Sequence, residues 1–251
     1  MELIINADDC GKSKEVNEAI AQFIEAGKIT STTVMANMDD LEGAARLFDK
    51  YKESVSFGVH LNLTEGHPLL YSNMLIEKGL YVETENKIVF NLNSFRNKIM
   101  SVDIRKELKK ELCAQIEKIM DYGIQISHID SHHHIHTGLL LLPMMPDLVK
   151  RYGIRKMRRM RNYVPVASWA NIALRNLWAQ LIKLQNRKII MTDYFGIYED
   201  WHDGGKQVLP GSMILELMCH PGGAYQEEEI KLLETDFISL KNVKLINYKE
   251  I

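Results

Sequence analysis

The chain holds nine histidines, and five of them fall in one stretch, "HIDSHHHIH" (128–136), with Asp130 among them. Imidazole and carboxylate groups bind divalent cations and carry protons near neutral pH, so the stretch is either a metal-associated site or a solvated polar run. Other groups of the same kind each follow a short apolar run. Asp8 and Asp9 follow "LIINA", His60 and Asn62 end "VSFGVHLNL", Asp193 follows "KIIMT", and His220 follows "LELMC". Five separate runs that finish this way argue for one shared site at one end of a sheet.

Strand geometry sorts the cluster. Side chains alternate across a strand, so positions 128, 130 and 132 share a face while the chain stays extended. "HIDSH" reads as strand, whereas "HHIHTG" runs towards a loop and should turn away. His132 is therefore the best-placed ligand at the mouth, and His128 is a packed histidine deeper in. Asp130 either orients His132 or touches the site. His133 has the wrong parity, while His134 and His136 are substrate contacts or loop anchors. An aspartate and two histidines with open coordination positions suit a catalytic divalent cation. A neighbouring carboxylate could accept a proton from water, and a histidine across the site could give one to a leaving group. These ingredients suit metal-assisted hydrolysis and leave ester, amide and phosphoester substrates open.

The elements that must position these groups alternate in type. "ELIINA" (2–7) reads as a buried strand. The next helix has Ser13 as N-cap, apolar residues at 16, 19, 20, 23 and 24, and Gly27 as its stop. Strand 29–36, helix 40–51 and strand 55–63 follow. A polar, poorly periodic region over 64–100 is a variable insertion in which "GLYVETENKIVFNL" suits a small hairpin. From 103 a helix places Ile104, Leu108, Leu112, Ile116, Ile119 and Met120 on one face, and Gly123 ends it. Strand "IQISHIDSH", helical "LLLLPMMPDLVKRYG", strand "IRKMRRM", helix "ASWANIALRNLWAQLIKL", strands "KIIMTDYFGI" and "SMILELMCH", and a last helix and strand complete the order. Such βα alternation predicts a single α/β domain over 1–251, an irregular (β/α) barrel of TIM-barrel-like form, with an open doubly wound sheet as the alternative. A barrel would gather the polar strand ends at one mouth.

Composition narrows the partners. A net charge of −2 gives no reason to expect nucleic acid or an acidic membrane, and the basic run "RKMRRMR" (155–161) reads as a solvated face or a small anion site. The odd, widely spaced Cys10, Cys113 and Cys219 suit free thiols in a reducing compartment. No signal peptide is evident, and no apolar run approaches the ~20 residues of a membrane span. A cytoplasmic protein is the expectation. A homo-oligomer is compatible with all of this, and nothing in the sequence fixes its symmetry.

"INADDCG", "TSTTVMANM", "GVHLNLTEGHPL", "HIDSHHHIH", "TDYFGI" and "ELMCHPGG", in that order, resemble the YdjC-like carbohydrate deacetylases, a family that includes the chitooligosaccharide deacetylases. The similarity runs from residue 3 to about 225. It implies an irregular (β/α) barrel, one divalent metal ion (Mg2+ or Zn2+), and removal of acetyl groups from N-acetylated sugars. By this resemblance Asp9, His60 and His132 match the metal ligands, Asp8 the catalytic base and His220 the general acid. Asp193 is expected to orient His220 or to contact substrate. Asn62, His134, His136 and Arg158 are expected at the substrate, with Arg158 or Arg161 also able to steady Asp8. The chain departs from the family in having Cys10 where a phenylalanine is common. It also reads "RRMR" where the family is near R-L-P-R, which leaves Arg158, Arg159 and Arg161 as alternatives for one position. The rival readings are a non-catalytic metal- or sugar-binding protein and a metal-dependent phosphoester hydrolase.

Overall fold

A computed structural model describes residues 1–85, 87–91, 101–138, 141–164, 169–185, 187–206, 208–209, 211–223, 226–237 and 240–251. In chain order the first elements are β1 (Glu2–Cys10), α1 (Lys14–Glu25), β2 (Ser31–Val34), α2 (Leu41–Tyr51), β3 (Ser56–Leu61), α3 (Asn73–Glu77), β4 (Tyr81–Glu83), β5 (Ile88–Phe90) and α4 (Val102–Asp121). Then come β6 (Ile129–Ser131), α5 (Met145–Tyr152), α6 (Trp169–Gln185), β7 (Tyr194–Ile197), α7 (Tyr198–Asp203), β8 (Ile214–Cys219), α8 (Gln226–Glu234) and β9 (Lys244–Leu245).

Side-chain caps set the helix starts, at Ser13 as the sequence predicts and at Asp40 in addition. Ser13 accepts from the Val16 amide at 3.3 Å and Asp40 from the Gly43 amide at 3.0 Å, caps that each contribute about 1 kcal/mol. Val16, Ile20, Phe23 and Ile24 form the buried stripe of α1, the spacing of a helix with one face on a core.

The main sheet is parallel throughout, in the order β6, β3, β2, β1, β8, β7, with β9 added at the start of β1. It does not stay open. The Ile129 amide donates to the Lys156 carbonyl and the Arg158 amide to the Ile129 carbonyl, both at 3.0 Å. The Met157 amide in turn donates to Ile190, and the Asp193 amide to Ile214. Single bridges Ile129–Met157 and Lys156–Ile190 thus carry the ladder from β6 back towards β7. The result is an irregular (β/α) barrel, and the open doubly wound alternative is set aside. Two expected strands shrink to these bridges, "IRKMRRM" and the first half of "KIIMTDYFGI"; the former has only Ile154 as a β-branched residue, so its backbone has little intrinsic reason to extend.

The 64–100 region contains the expected hairpin, β4 paired antiparallel with β5; its residues 92–100 lie outside the described residues. Among the described residues, no helix is long and apolar enough to cross a membrane. Cys10, Cys113 and Cys219 are buried free thiols. Cys10 faces α1, with its Sγ 3.4 Å from Asn17 Oδ1.

The barrel interior is polar. Tyr248, near the chain end, stacks on the His128 ring with centroids 3.7 Å apart and donates to Glu216 at 2.5 Å. His128 is the packed histidine that strand parity predicts. Gly58 makes room for it, since a Cβ there would lie 2.6 Å from the imidazole. Above this floor stand Arg158, Asp8, Asp130 and His60, all buried.

Candidate active site

β1 ends in a distortion that shapes the mouth. Its register against β2 shifts between Ala7 and Cys10, and Asp9 has φ 66°. In a regular strand neighbouring side chains face opposite sides. The bulge and the left-handed residue, a conformation costly for a non-glycine, let Asp8 and Asp9 both reach the interior.

Asp9 Oδ1 lies 3.3 Å from His60 Nε2 and 3.0 Å from His132 Nδ1. It is buried and has no hydrogen-bond partner. The far nitrogens of both rings are already engaged. His60 Nδ1 lies 2.7 Å from Asp130, and His132 Nε2 lies 2.8 Å from Glu65. If those nitrogens carry the ring protons, each ring turns a lone pair towards Asp9. Three lone-pair donors then converge on one point with no proton between them. That is the arrangement a divalent cation fits, with carboxylate partners behind each histidine to fix its tautomer. The surrounding charge agrees. Burial would lower the His60 pKa, yet Asp130 above all raises it to about 10. The His132 hydrogen bond leads in bringing Glu65 down to about 2. Without an ion this field favours protons on the imidazoles, and a bound cation would displace them from the nitrogens that face Asp9.

Asp8, Asp130 and His60 form a second candidate group of metal-binding type. A guanidinium fills it. Arg158 donates to both Asp8 oxygens at 2.8 and 2.7 Å, and lies 2.7 Å from Asp130 and 2.7 Å from Glu216. Burial alone would raise the Asp8 carboxyl, but Arg158 holds it below the usual carboxylate range. Asp8 is therefore an anion whose orientation is fixed by a planar fork.

His220 follows β8 directly and shares a cavity of about 450 Å³ with Asp9, Lys12, Met38 and Glu65. Its backbone amide donates to Glu228 Oε2 at 2.8 Å, and its Nδ1 lies 3.7 Å from the same oxygen. Burial lowers the His220 pKa, but Glu228 and Asp8 outweigh it and raise it.

Residues 2–246 match the family described as YdjC-like protein. The chain belongs to the YdjC-like family. It is 30% identical to a carbohydrate deacetylase of Geobacillus stearothermophilus, over 98% of this chain and 96% of that protein. It is likewise 30% identical to a carbohydrate deacetylase of Clostridium beijerinckii, over 100% of both. A solved structure from Enterococcus faecalis V583, named for a proposed cleavage of cellobiose phosphate, superposes with a TM-score of 0.76 at 23% identity. That match covers 99% of this chain and 98% of the other, and it speaks to the fold.

Of the residues that the family resemblance singles out, the structure brings Asp8, Asp9, His60, His132 and His220 to one mouth. Others stand elsewhere. Asn62 is buried and spends its side chain on its own loop, accepting from the Thr64 and Glu65 amides and donating to the Glu65 carbonyl. His136 is a loop anchor rather than a substrate contact, with Nδ1 2.6 Å from Ser131 Oγ and Nε2 3.1 Å from the Arg158 carbonyl. Arg158 is fully buried on three carboxylates and leaves no face for substrate. Asp130 serves His60 rather than His132. Successive left-handed residues, His133 and His134, turn the chain out of the strand as expected. His134 remains beside the site, with an unpartnered Nδ1 and a pKa that burial lowers to about 3.

Asp193 is the largest displacement. The strand starts after it, at Tyr194, and its exposed carboxylate accepts from the Ile214 amide at the beginning of β8. His220 lies six residues further along, about 20 Å away at the ~3.3 Å rise of a strand. Asp193 thus sits at the opposite mouth, and Asp193→Asn should leave turnover and its pH profile at the parent values. Sequence reading missed Glu65, Lys12 and Glu228. Glu65 was findable, three residues beyond Asn62 on the same mouth loop; Lys12, which pairs with Glu65 at 2.9 Å and Asp9 at 3.4 Å, had no signal beyond proximity to Asp9.

Proposed function

We propose that the protein is a metal-dependent hydrolase that removes the acetyl group from N-acetylated amino sugars or oligosaccharides. The observation that carries this reading is the orphaned Asp9 oxygen facing two oriented histidines, with one carboxylate and one histidine flanking it. Asp9, His60 and His132 would hold one divalent ion, Mg2+ or Zn2+. Such an ion would supply Lewis acidity towards the acetyl carbonyl and lower the pKa of water in the site. Relatives named carbohydrate deacetylase give the substrate class.

The chain's own groups then divide the proton transfers. Asp8, held anionic by Arg158, accepts a proton as the water oxygen bonds to the acetyl carbon. His220 gives its proton to the nitrogen as the C–N bond breaks, so the products are acetate and a free amine. Arg158 leaves no room for a second cation beside Asp8, which disfavours a multi-metal phosphoester hydrolase. Pure binding would need neither Asp8 nor His220. The buried free thiols suit a reducing cytoplasm.

The test is acetate release from a panel of N-acetylated mono- and oligosaccharides, with and without added Mg2+ or Zn2+. Phosphate release from sugar phosphates, with no acetate from any N-acetyl substrate, would overturn the reading. Asp8→Asn and His220→Ala should each lower turnover ~10²–10⁴-fold, the usual scale for a positioned base or acid. Bound metal should persist in both.

A further inference from the structure

The turn that carries His220 is clamped from two sides. The first turn of α8 supplies two carboxylates to it: Glu228 accepts from the His220 amide at 2.8 Å, and Glu229 accepts from the Gly222 amide at 2.5 Å. On the other side lies α1. A Cβ on Gly222, whose φ is 74°, would come within 2.7 Å of Val16 Cα. The two carboxylates differ in one respect. Glu229 reaches backbone, whereas Glu228 is nearly fully buried and also places Oε2 3.7 Å from His220 Nδ1.

We propose that Glu228 is the positioning residue for the proton donor, holding His220 with Nδ1 turned to the carboxylate and Nε2 presented to the mouth. The role was expected of Asp193, which stands at the other end of the barrel. The separation exceeds a hydrogen bond, so Glu228 acts as a buried anion against the ring that closes on Nδ1 when His220 is protonated. Glu228 does not touch substrate. Its effect on chemistry rests on the deacetylase reading, because only there is His220 the donor; its effect on the ring does not.

The charged groups around His220 come from several elements. Asp8 and Asp9 face it from β1, Glu228 from α8 and His134 from the loop after β6, while Lys12 lies in the same cavity paired with Asp9 and Glu65. Among the carboxylates, Glu228 can be neutralised without touching a metal-binding position. Glu228→Gln keeps an oxygen for the His220 amide and removes the charge.

The experiment follows the His220 imidazole by NMR across pH in the full chain with Mg2+ present, its signal assigned by loss in His220→Ala. Acetate release is measured alongside. In Glu228→Gln the titration midpoint should fall by about one unit or more, and the alkaline limb of turnover should move down with it. Turnover should drop ~10–10²-fold with KM little changed. Glu228→Asp, which keeps the charge on a shorter arm, should recover most of the midpoint, and Glu229→Gln should leave it at the parent value. A midpoint and pH profile identical to the parent in Glu228→Gln, with only thermal stability lost, would overturn the proposal. If Glu228→Gln does not fold, a Glu228→Asp midpoint no closer to the parent than that of free histidine overturns it too. Absence of acetate release from every protein would sink the deacetylase reading alone, because the NMR midpoint still decides whether Glu228 governs the ring.

Discussion

His132→Ala should abolish stoichiometric metal binding and, with it, turnover. Three protein groups converge at Asp9 Oδ1, and a cation that loses one of three ligands is left with water in its place. Removing an outer partner of a metal-binding histidine typically costs 10–100-fold in affinity, so loss of the ligand itself should exceed that. Glu65→Gln supplies the comparison, since Glu65 lies 2.8 Å from His132 Nε2 and stands one step removed from the metal. The expected order of metal affinity is parent, then Glu65→Gln, then His132→Ala. His133→Ala should match the parent, because that ring lies outside the converging set, with Nδ1 2.9 Å from Thr64 Oγ1. Calorimetric titration with Zn2+ or Mg2+, and metal content after dialysis, would measure the series. Full occupancy in His132→Ala would remove the metal assignment.

What the sequence made legible follows from what is local. Strand ends marked by polar residues are local, and so are the Ser13 cap and the parity of His132. The barrel could be read from them, while the family resemblance supplied Asp9, His60 and His132 as proposed metal ligands and Asp8 and His220 as the proposed acid–base pair. The partners could not. Glu228 comes eight residues after His220 across a turn and a new helix, and Arg158 meets Asp8 across 150 positions of chain. Nothing in local periodicity encodes such pairings. Asp193 shows a different failure: it stands inside the expected strand "KIIMTDYFGI", and placing a strand end there rather than after Ile197 put it at the wrong level of the barrel. The structure begins β7 at Tyr194, and that shift exchanges the top of the barrel for the bottom.

Arg158→Met should be the most destabilising single change in the molecule's interior. The guanidinium is fully buried and contacts Asp8, Asp130 and Glu216, all three themselves buried. Methionine fills a similar length but leaves those carboxylates without their cation. Breaking a buried pair by removing one partner typically costs 3–5 kcal/mol, and here three partners share the loss. The pH dependence should also change sign. In the parent the Asp8 pKa is depressed, so its contribution is present above the unfolded value of ~3.9 and is lost as pH falls through the lower folded pKa. Without Arg158, burial acts unopposed on Asp8 and adds to the rise it already imposes on Glu216. A carboxyl whose folded pKa is raised contributes stability below its unfolded pKa and loses it as pH rises through the folded one. The parent should therefore gain stability through Asp8 only as pH rises to about 4–5 and hold it above that, while Arg158→Met should lose stability over the range above pH 4. Denaturant midpoints at pH 4, 5.5 and 7 would decide the matter. Parallel pH profiles for the two proteins would show that Arg158 is not the cation holding Asp8 ionised, and the base would then need another source for its charge.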